Sequence, residues 1–171
     1  MAFLDESGFS LLPTMPKTWA PRGETPILRH RMSWPKLSVI AAVSPNPHIW
    51  LHQVRGSVKS AEVIRFVRYL LRVCRRPLML FCDGLGAHWS RRTRTALARY
   101  GNRLSVHRLP PYAPELNPAE GLYAHLKGHA LRGYAAPDLT ALQSALRGAV
   151  RKAQHRPALI RSFFHRTPLS F

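Results

Sequence analysis

Apolar and polar positions are distributed along this chain in two rhythms, and the change from one to the other marks the elements. Near the start, "AFLD" predicts a short extended piece in which Phe3 and Asp5 share a face, because side chains alternate along a strand. "LSVIAAVS", Leu37 to Ser44, is β-branched and almost wholly apolar, the pattern of a strand covered on both faces. In "HIWLHQVRG", Ile49 and Leu51 alternate with polar neighbours, which predicts a hairpin partner across the "SPNP" turn. Two further apolar runs, "PLMLFCD" and "RLSVHRL", read as strands, the first delivering Asp83 at its C-terminal end.

Between these runs the period lengthens to that of a helix. Val63, Val67, Leu70 and Cys74 fall on one side, and Arg65, Arg68, Arg72 and Arg75 fall mostly away from it. Ser60 is the expected N-cap, Glu62 suits the first turn, and Pro77 ends the helix. A second helix is expected from about Ser90 to Tyr100, a third from near Pro118, and a last one from about Asp138 to His155. In the last, Leu139, Leu142, Leu146, Ala149 and Ala153 face inward while Arg147 and Arg151 stand out one turn apart. A hairpin followed by strands alternating with helices describes one α/β domain over residues 1–171, layered around a mixed sheet.

Charge changes the picture most. The chain carries 26 lysines and arginines against 8 acids, a formal net charge of +18. Such an excess repels itself unless a polyanion relieves it, which points to nucleic acid or an anionic surface. Its arginines suit phosphate, which their planar fork grips in two places. No apolar run is long enough to span a membrane, and "MAFLDESGF" lacks the basic and apolar regions of a secretory signal, so an intracellular, soluble protein is expected. Cys74 and Cys82 sit in apolar runs and read as core thiols rather than metal ligands or a disulfide framework.

With so few acids, each can be assigned. Glu6, Glu24, Glu62 and Asp138 are expected in turns or helix starts. Asp5 and Asp83 each end an apolar strand, where an unpaired carboxylate is costly to desolvate. An arginine could satisfy them, and so could a metal. Glu120 has two readings as well. Asn117, Pro118 and Glu120 fit N-cap, first helical position and the glutamate of a capping box, yet the same carboxylate could join the two aspartates. Together the three make an all-oxygen set suited to magnesium or manganese. His125 and His129, four apart on a helix, lack a third ligand for zinc.

The ordered stretches "FLDESGF", "TWAPRGETP", "LFCDGLGAH" and "LPPYAPELNPAEGLYAHLK" resemble the signatures of DDE transposases, specifically the bacterial insertion-sequence relatives of the mariner superfamily. Asp5 matches the first acid, Asp83 the second and Glu120 the third, and the resemblance runs from Phe3 to about Leu131. It implies an RNase H-like three-layer fold with a five-stranded mixed sheet flanked by helices. It also implies two Mg²⁺ or Mn²⁺ ions, about 3.5 to 4 Å apart, held by Asp5, Asp83 and Glu120 for in-line displacement at phosphorus. The activity implied is cleavage at transposon ends and strand transfer into target DNA by a homodimer on duplex DNA, in a bacterial cytoplasm and associated with the nucleoid. Four prolines in the opening loop would hold Glu120 rigidly toward the metals.

The same resemblance suggests DNA contacts. Lys127, two turns after Glu120 on nearly the same helical face, is expected to meet a phosphate. His88 is expected to orient its loop or touch DNA, and Trp19 and Arg22 to form a hairpin near the active face. Arg147 and Arg151 are further candidates. Two departures stand out. Gly84 occupies the position where the family usually has asparagine, and the helix-turn-helix region that reads transposon ends is expected to precede such a domain, whose first strand begins here only four residues before Asp5. The alternatives within reach of the same residues are an RNase H-like nuclease that does not transpose and a DNA-binding remnant without chemistry.

Overall fold

In the computed structural model, which describes residues 1–12, 20–24 and 36–169, the apolar runs form five strands of one sheet. These are β1 (Ala2–Ser10), β2 (Lys36–Ser44), β3 (His48–Arg55), β4 (Leu78–Cys82) and β5 (Leu104–Arg108). Their order is β3-β2-β1-β4-β5. β1 runs antiparallel to β2 and β2 to β3, whereas β1 is parallel to β4 and β4 to β5. The sheet is mixed, as the hairpin followed by crossovers requires. β1 extends five residues beyond the "AFLD" expectation, because its full length pairs with β2 from Phe3 opposite Val43 to Ser10 opposite Lys36.

Helices cover both faces. On one lie α1 (Ser60–Val73), α2 (Gly86–Trp89) and α3 (Arg91–Ala98). There Phe66, Val67 and Leu70 of α1 and Leu97 of α3 pack on Leu4, Ile40 and Leu80. The opposite face carries α4 (Pro118–His125), a π-helical turn over Leu126–Ala130, α5 (Leu139–Gln154) and α6 (Pro157–His165). Leu122, Leu126, Leu146, Ile160 and Phe163 pack there on Phe3, Val39 and Val43. No helix among the described residues is long and apolar enough to cross a membrane.

Two helix ends differ from the sequence expectation. Lys59, not Ser60, is the N-cap of α1, and the Glu62 carboxylate accepts from its backbone N–H at 3.1 Å. Ser60 instead shares a 2.8 Å hydrogen bond with Ser90, tying the starts of α1 and α3 together. After α5 the chain does not end its helices at His155: Pro157 opens α6, which buries Ile160, Phe163 and Phe164. Asp138 caps α5 by accepting from the Ala141 N–H at 2.8 Å.

Candidate active site

Strand register brings the first two acids together. Leu4 lies opposite Cys82 in the parallel β1–β4 pair, so Asp5 and Asp83 come next to one another; Asp83 follows the end of β4, but Asp5, expected to end its strand, lies inside β1, opposite Ala41 of β2. Alternation directs Asp5 to the face of Phe3 and Asp83 to the face of Phe81, and those rings stack at 4.9 Å. On that face lies α4, whose first turn carries Glu120. All three carboxylates line one cleft of about 400 Å³, together with Gly84, Arg108 and the prolines at 110, 111 and 114.

The start of α4 is fixed from two sides. Asn117 caps it, accepting from the Ala119 N–H at 3.2 Å, and Pro118 occupies its first turn. One turn after Glu120, the buried Tyr123 hydroxyl donates to the backbone carbonyls of Asp5 at 2.7 Å and Val39 at 3.2 Å. The helix that presents Glu120 is thereby pinned to the strand that presents Asp5. The Glu120 side chain makes no capping bond, so of its two sequence readings the cap is not the one adopted. In the loop before it, Tyr112 is wholly exposed with φ of 57°, a left-handed conformation that costs a non-glycine residue about 1 kcal/mol.

Asp5 is 7% exposed, and its Oδ1 accepts from the Glu6 N–H at 2.8 Å. Burial, with Glu120, Glu6 and Asp83 nearby, pushes its carboxyl up to about 7. Among the described residues no lysine, arginine or histidine forms an ion pair with Asp5 or Glu120. No arginine among the described residues satisfies Asp5. Asp5, Asp83 and Glu120 offer hard oxygen to one cleft, the donor chemistry a divalent cation takes, although among the described residues the group whose ligand atoms all lie within 4.8 Å of one another is Glu6, Asp83 and His88.

Asp83 is held differently. Its Oδ1 accepts from the Leu85 N–H at 3.0 Å and meets His88 Nδ1 at 2.8 Å. His88 Nε2 lies 2.7 Å from Glu6 Oε1, and the Trp89 indole donates to the Asp83 carbonyl at 2.6 Å. Burial alone would lower the His88 imidazole, but its bonds to Asp83 and Glu6 prevail and raise it to about 9. The bond from His88 in turn holds the Asp83 carboxyl below its ordinary value, against the opposing effect of burial.

Several expected contacts are placed otherwise. His88 is only 4% exposed with both ring nitrogens engaged, so it is an internal strut and not a DNA-facing group. Glu6, expected in a turn, lies within β1, where alternation turns it to the face opposite Asp5 and onto His88. Its Oε2 is buried without a hydrogen-bond partner. Lys127 leans on β1, donating to Ser7 Oγ at 2.7 Å and sitting 5.2 Å from the centre of the Phe9 ring. Ser7 shares the Asp5 face of β1, so Lys127 and Glu120 address the same side of that strand; a π-helical turn closed by Leu131 N–H to the Leu126 carbonyl begins just before Lys127. Arg22 stands exposed in a turn, and Arg147 and Arg151 are exposed on α5; none of them lines the cleft. Trp19 lies outside the described residues.

Arg108 was not singled out by the sequence. Its guanidinium lies over Gly84: a Cβ there would stand 2.4 Å from Arg108 Nη2. It also sits 5.9 Å from the centre of the Trp89 ring. The space that an asparagine at position 84 would need is thus filled from the neighbouring strand.

This architecture is shared with solved structures at low sequence identity. The mariner Mos1 paired end complex with Mg matches at a TM-score of 0.73 and 19% identity, covering 96% of this chain and 52% of that one. The Mos1 strand transfer complex matches at 0.68 and 19%, covering 95% and 54%. The catalytic domain of Mos1 mariner transposase matches at 0.62 and 15%, covering 99% of this chain and 83% of that one. The chain therefore spans about half the length of the longer Mos1 chains and has the RNase H-like fold of their catalytic domain. No curated protein matches it significantly in sequence. The model of one family, described as DDE superfamily endonuclease, matches residues 1–143, and the chain belongs to that family.

Proposed function

We propose that the chain is the catalytic domain of a DNA transposase, an insertion-sequence relative of mariner elements, which cuts DNA at transposon ends and joins the freed 3′ end to target DNA. The observation that carries this reading is the convergence of Asp5, Asp83 and Glu120 on one cleft, from within β1, from the end of the adjacent β4 and from the first turn of α4. Family membership supports phosphodiester chemistry, and the formal charge of +18 supports a nucleic-acid substrate. The Mos1 relatives are described as paired end and strand transfer complexes, and comparable DNA assemblies, a homodimer among them, are the partners we assign here. A helix-turn-helix product encoded upstream would supply end recognition, in a bacterial cytoplasm at the nucleoid.

In this reading Asp5, Asp83 and Glu120 hold divalent cations, Mg²⁺ or Mn²⁺. When bound, such ions supply Lewis acidity to the attacking and leaving oxygens of an in-line displacement. The residues of the chain do the positioning. The His88–Glu6 strut fixes Asp83 Oδ1 and leaves its second oxygen for the cleft, Tyr123 ties the Glu120 helix to the Asp5 strand, and the prolines keep the cleft wall stiff.

The test is nicking of supercoiled plasmid by the purified protein with Mg²⁺, with Mn²⁺ and with EDTA, beside the Asp83→Asn variant. Nicking is expected only with metal and to fall at least 100-fold in Asp83→Asn. Equal nicking in EDTA, or by Asp83→Asn, would overturn the mechanism. Joining of an oligonucleotide 3′ end into the plasmid is expected too, and nicking without joining would instead make the protein a nuclease.

A further inference from the structure

We propose that the groove between α1 and α3 is a second nucleic-acid site, a sequence-neutral seat for the phosphate backbone of duplex DNA, separate from the catalytic cleft. The groove encloses about 780 Å³ and shares no lining residue with the cleft. Arg65 and Arg68 line it from α1, Arg91 and Arg92 from α3, and Arg99 from the residue that follows α3. Small residues, Ala61 and Ala96, leave room between these rims. The spacing follows from helix geometry: positions 61, 65 and 68 share one face of α1, and 92, 96 and 99 one face of α3.

All five arginines are exposed. Among the described residues one acid reaches any of them, Glu62 at 4.0 Å from Arg65, and it is already engaged with the Lys59 N–H. Five nearly unopposed guanidinium groups facing one concavity repel one another until an anion enters. The walls are tied together at the head of the groove, where Ser60 bonds to Ser90 and Ser90 caps α3 by accepting from the Thr93 N–H at 3.1 Å.

The chemistry selects the occupant. Guanidinium forks match phosphate oxygens in two-point contacts. Among the described residues no aromatic side chain lines the groove, so it offers no platform for unpaired bases there and suits a duplex backbone better than a single strand. From Ala61 to Arg68 the α1 wall is about 10 Å long at 1.5 Å per residue. At about 3.4 Å per nucleotide along each strand, that length accommodates about three successive phosphates. Topology sets the direction: α1 follows β3 and α3 follows β4, two strands parallel to β1, so both helices start at the edge of the sheet where Asp83 lies. The groove thus leads away from the cleft along the flank of the molecule.

The test is binding of a labelled 30-bp duplex, measured in EDTA across a salt titration, for the parent protein and two triple variants. One is Arg68→Gln/Arg92→Gln/Arg99→Gln in the groove. The other is Arg72→Gln/Arg75→Gln/Arg76→Gln at the far end of α1, with the same loss of charge outside it. The groove variant is expected to lower the log-log salt slope by about 2 to 3, since each neutralised phosphate contributes about 0.9. The control variant is expected to lower it by less than about 1. Equal losses in both, or none in the groove variant, would overturn the proposal. So would loss of binding to a polyglutamate peptide with duplex binding unchanged, which would make the groove a seat for an acidic protein. Binding in EDTA involves no strand cleavage, so this result and the outcome of the nicking assay stand independently.

Discussion

Position 84 shows how one missing side chain reorganises a site. Glycine there leaves the space that the Arg108 guanidinium occupies, in a cleft whose other charged lining residues are acids, and Arg108 helps hold the Asp83 carboxyl below its ordinary value. A cation beside a proposed metal ligand opposes metal binding, although exposure of Arg108 screens the effect. The clashing atom is the tip of a flexible side chain, so Gly84→Asn should be accommodated by swinging Arg108 out, with stability unchanged within about 0.5 kcal/mol. Displacing the charge is expected to lower the Mg²⁺ concentration for half-maximal nicking by roughly fivefold, about 1 kcal/mol. Arg108→Gln should do the same, and a metal titration unchanged in both variants would contradict it. Sequence exposed the gap at Gly84 but not what fills it, because Arg108 sits 24 residues on, at the end of a different strand.

At the scale of elements, the site depends on α4 staying in register with β1, and the Tyr123 hydroxyl is the bond that spans them. Tyr123→Phe keeps the ring in the core and removes two hydrogen bonds to buried carbonyls, a loss of about 1 to 2 kcal/mol. For a chain of this size that is a fall in Tm of about 2 to 8 °C. Nicking measured well below Tm should fall further than stability does, since Glu120 loses its tether to the Asp5 strand; a variant with the parent's Tm and rate would refute the tether. Phe3 and Asp5 on one face, the apolar runs of β2 and β4, and the Asn117–Pro118 helix start were legible because each is written in neighbouring residues. Glu6 was not, since its fate follows from β1 extending past Asp5 and from His88, which arrives 82 positions later. The π-helical turn over Leu126–Ala130 was equally hidden, because local spacing continues an α-helix there and only the observed path departs from it.

For the molecule as a whole, the family match ends at residue 143, inside α5, but the apolar core does not. The cluster beneath α4 includes Leu146 and Ala153 of α5 and Ile160, Phe163 and Phe164 of α6. Phe163 also packs against Gly121, where an added Cβ would stand 3.0 Å from the Phe163 Cβ, so α6 lies directly on the helix that carries Glu120. Burying Ile160, Phe163 and Phe164 contributes about 1.5 to 3 kcal/mol each, about 5 to 9 together. The whole stability of a domain is about 5 to 15 kcal/mol. A chain cut after His155 is therefore expected to lose cooperative folding: its urea transition should broaden or disappear, and its exposed sheet face should drive aggregation. The reach of α6 was missed although its signal was present, Pro157 at the first helical position and Leu159, Ile160, Phe163 and Phe164 at helical spacing. If residues 1–155 gave a sharp two-state transition with the parent's midpoint, α6 would be an appendage, and Glu120 would owe its position to α4 and β1 alone.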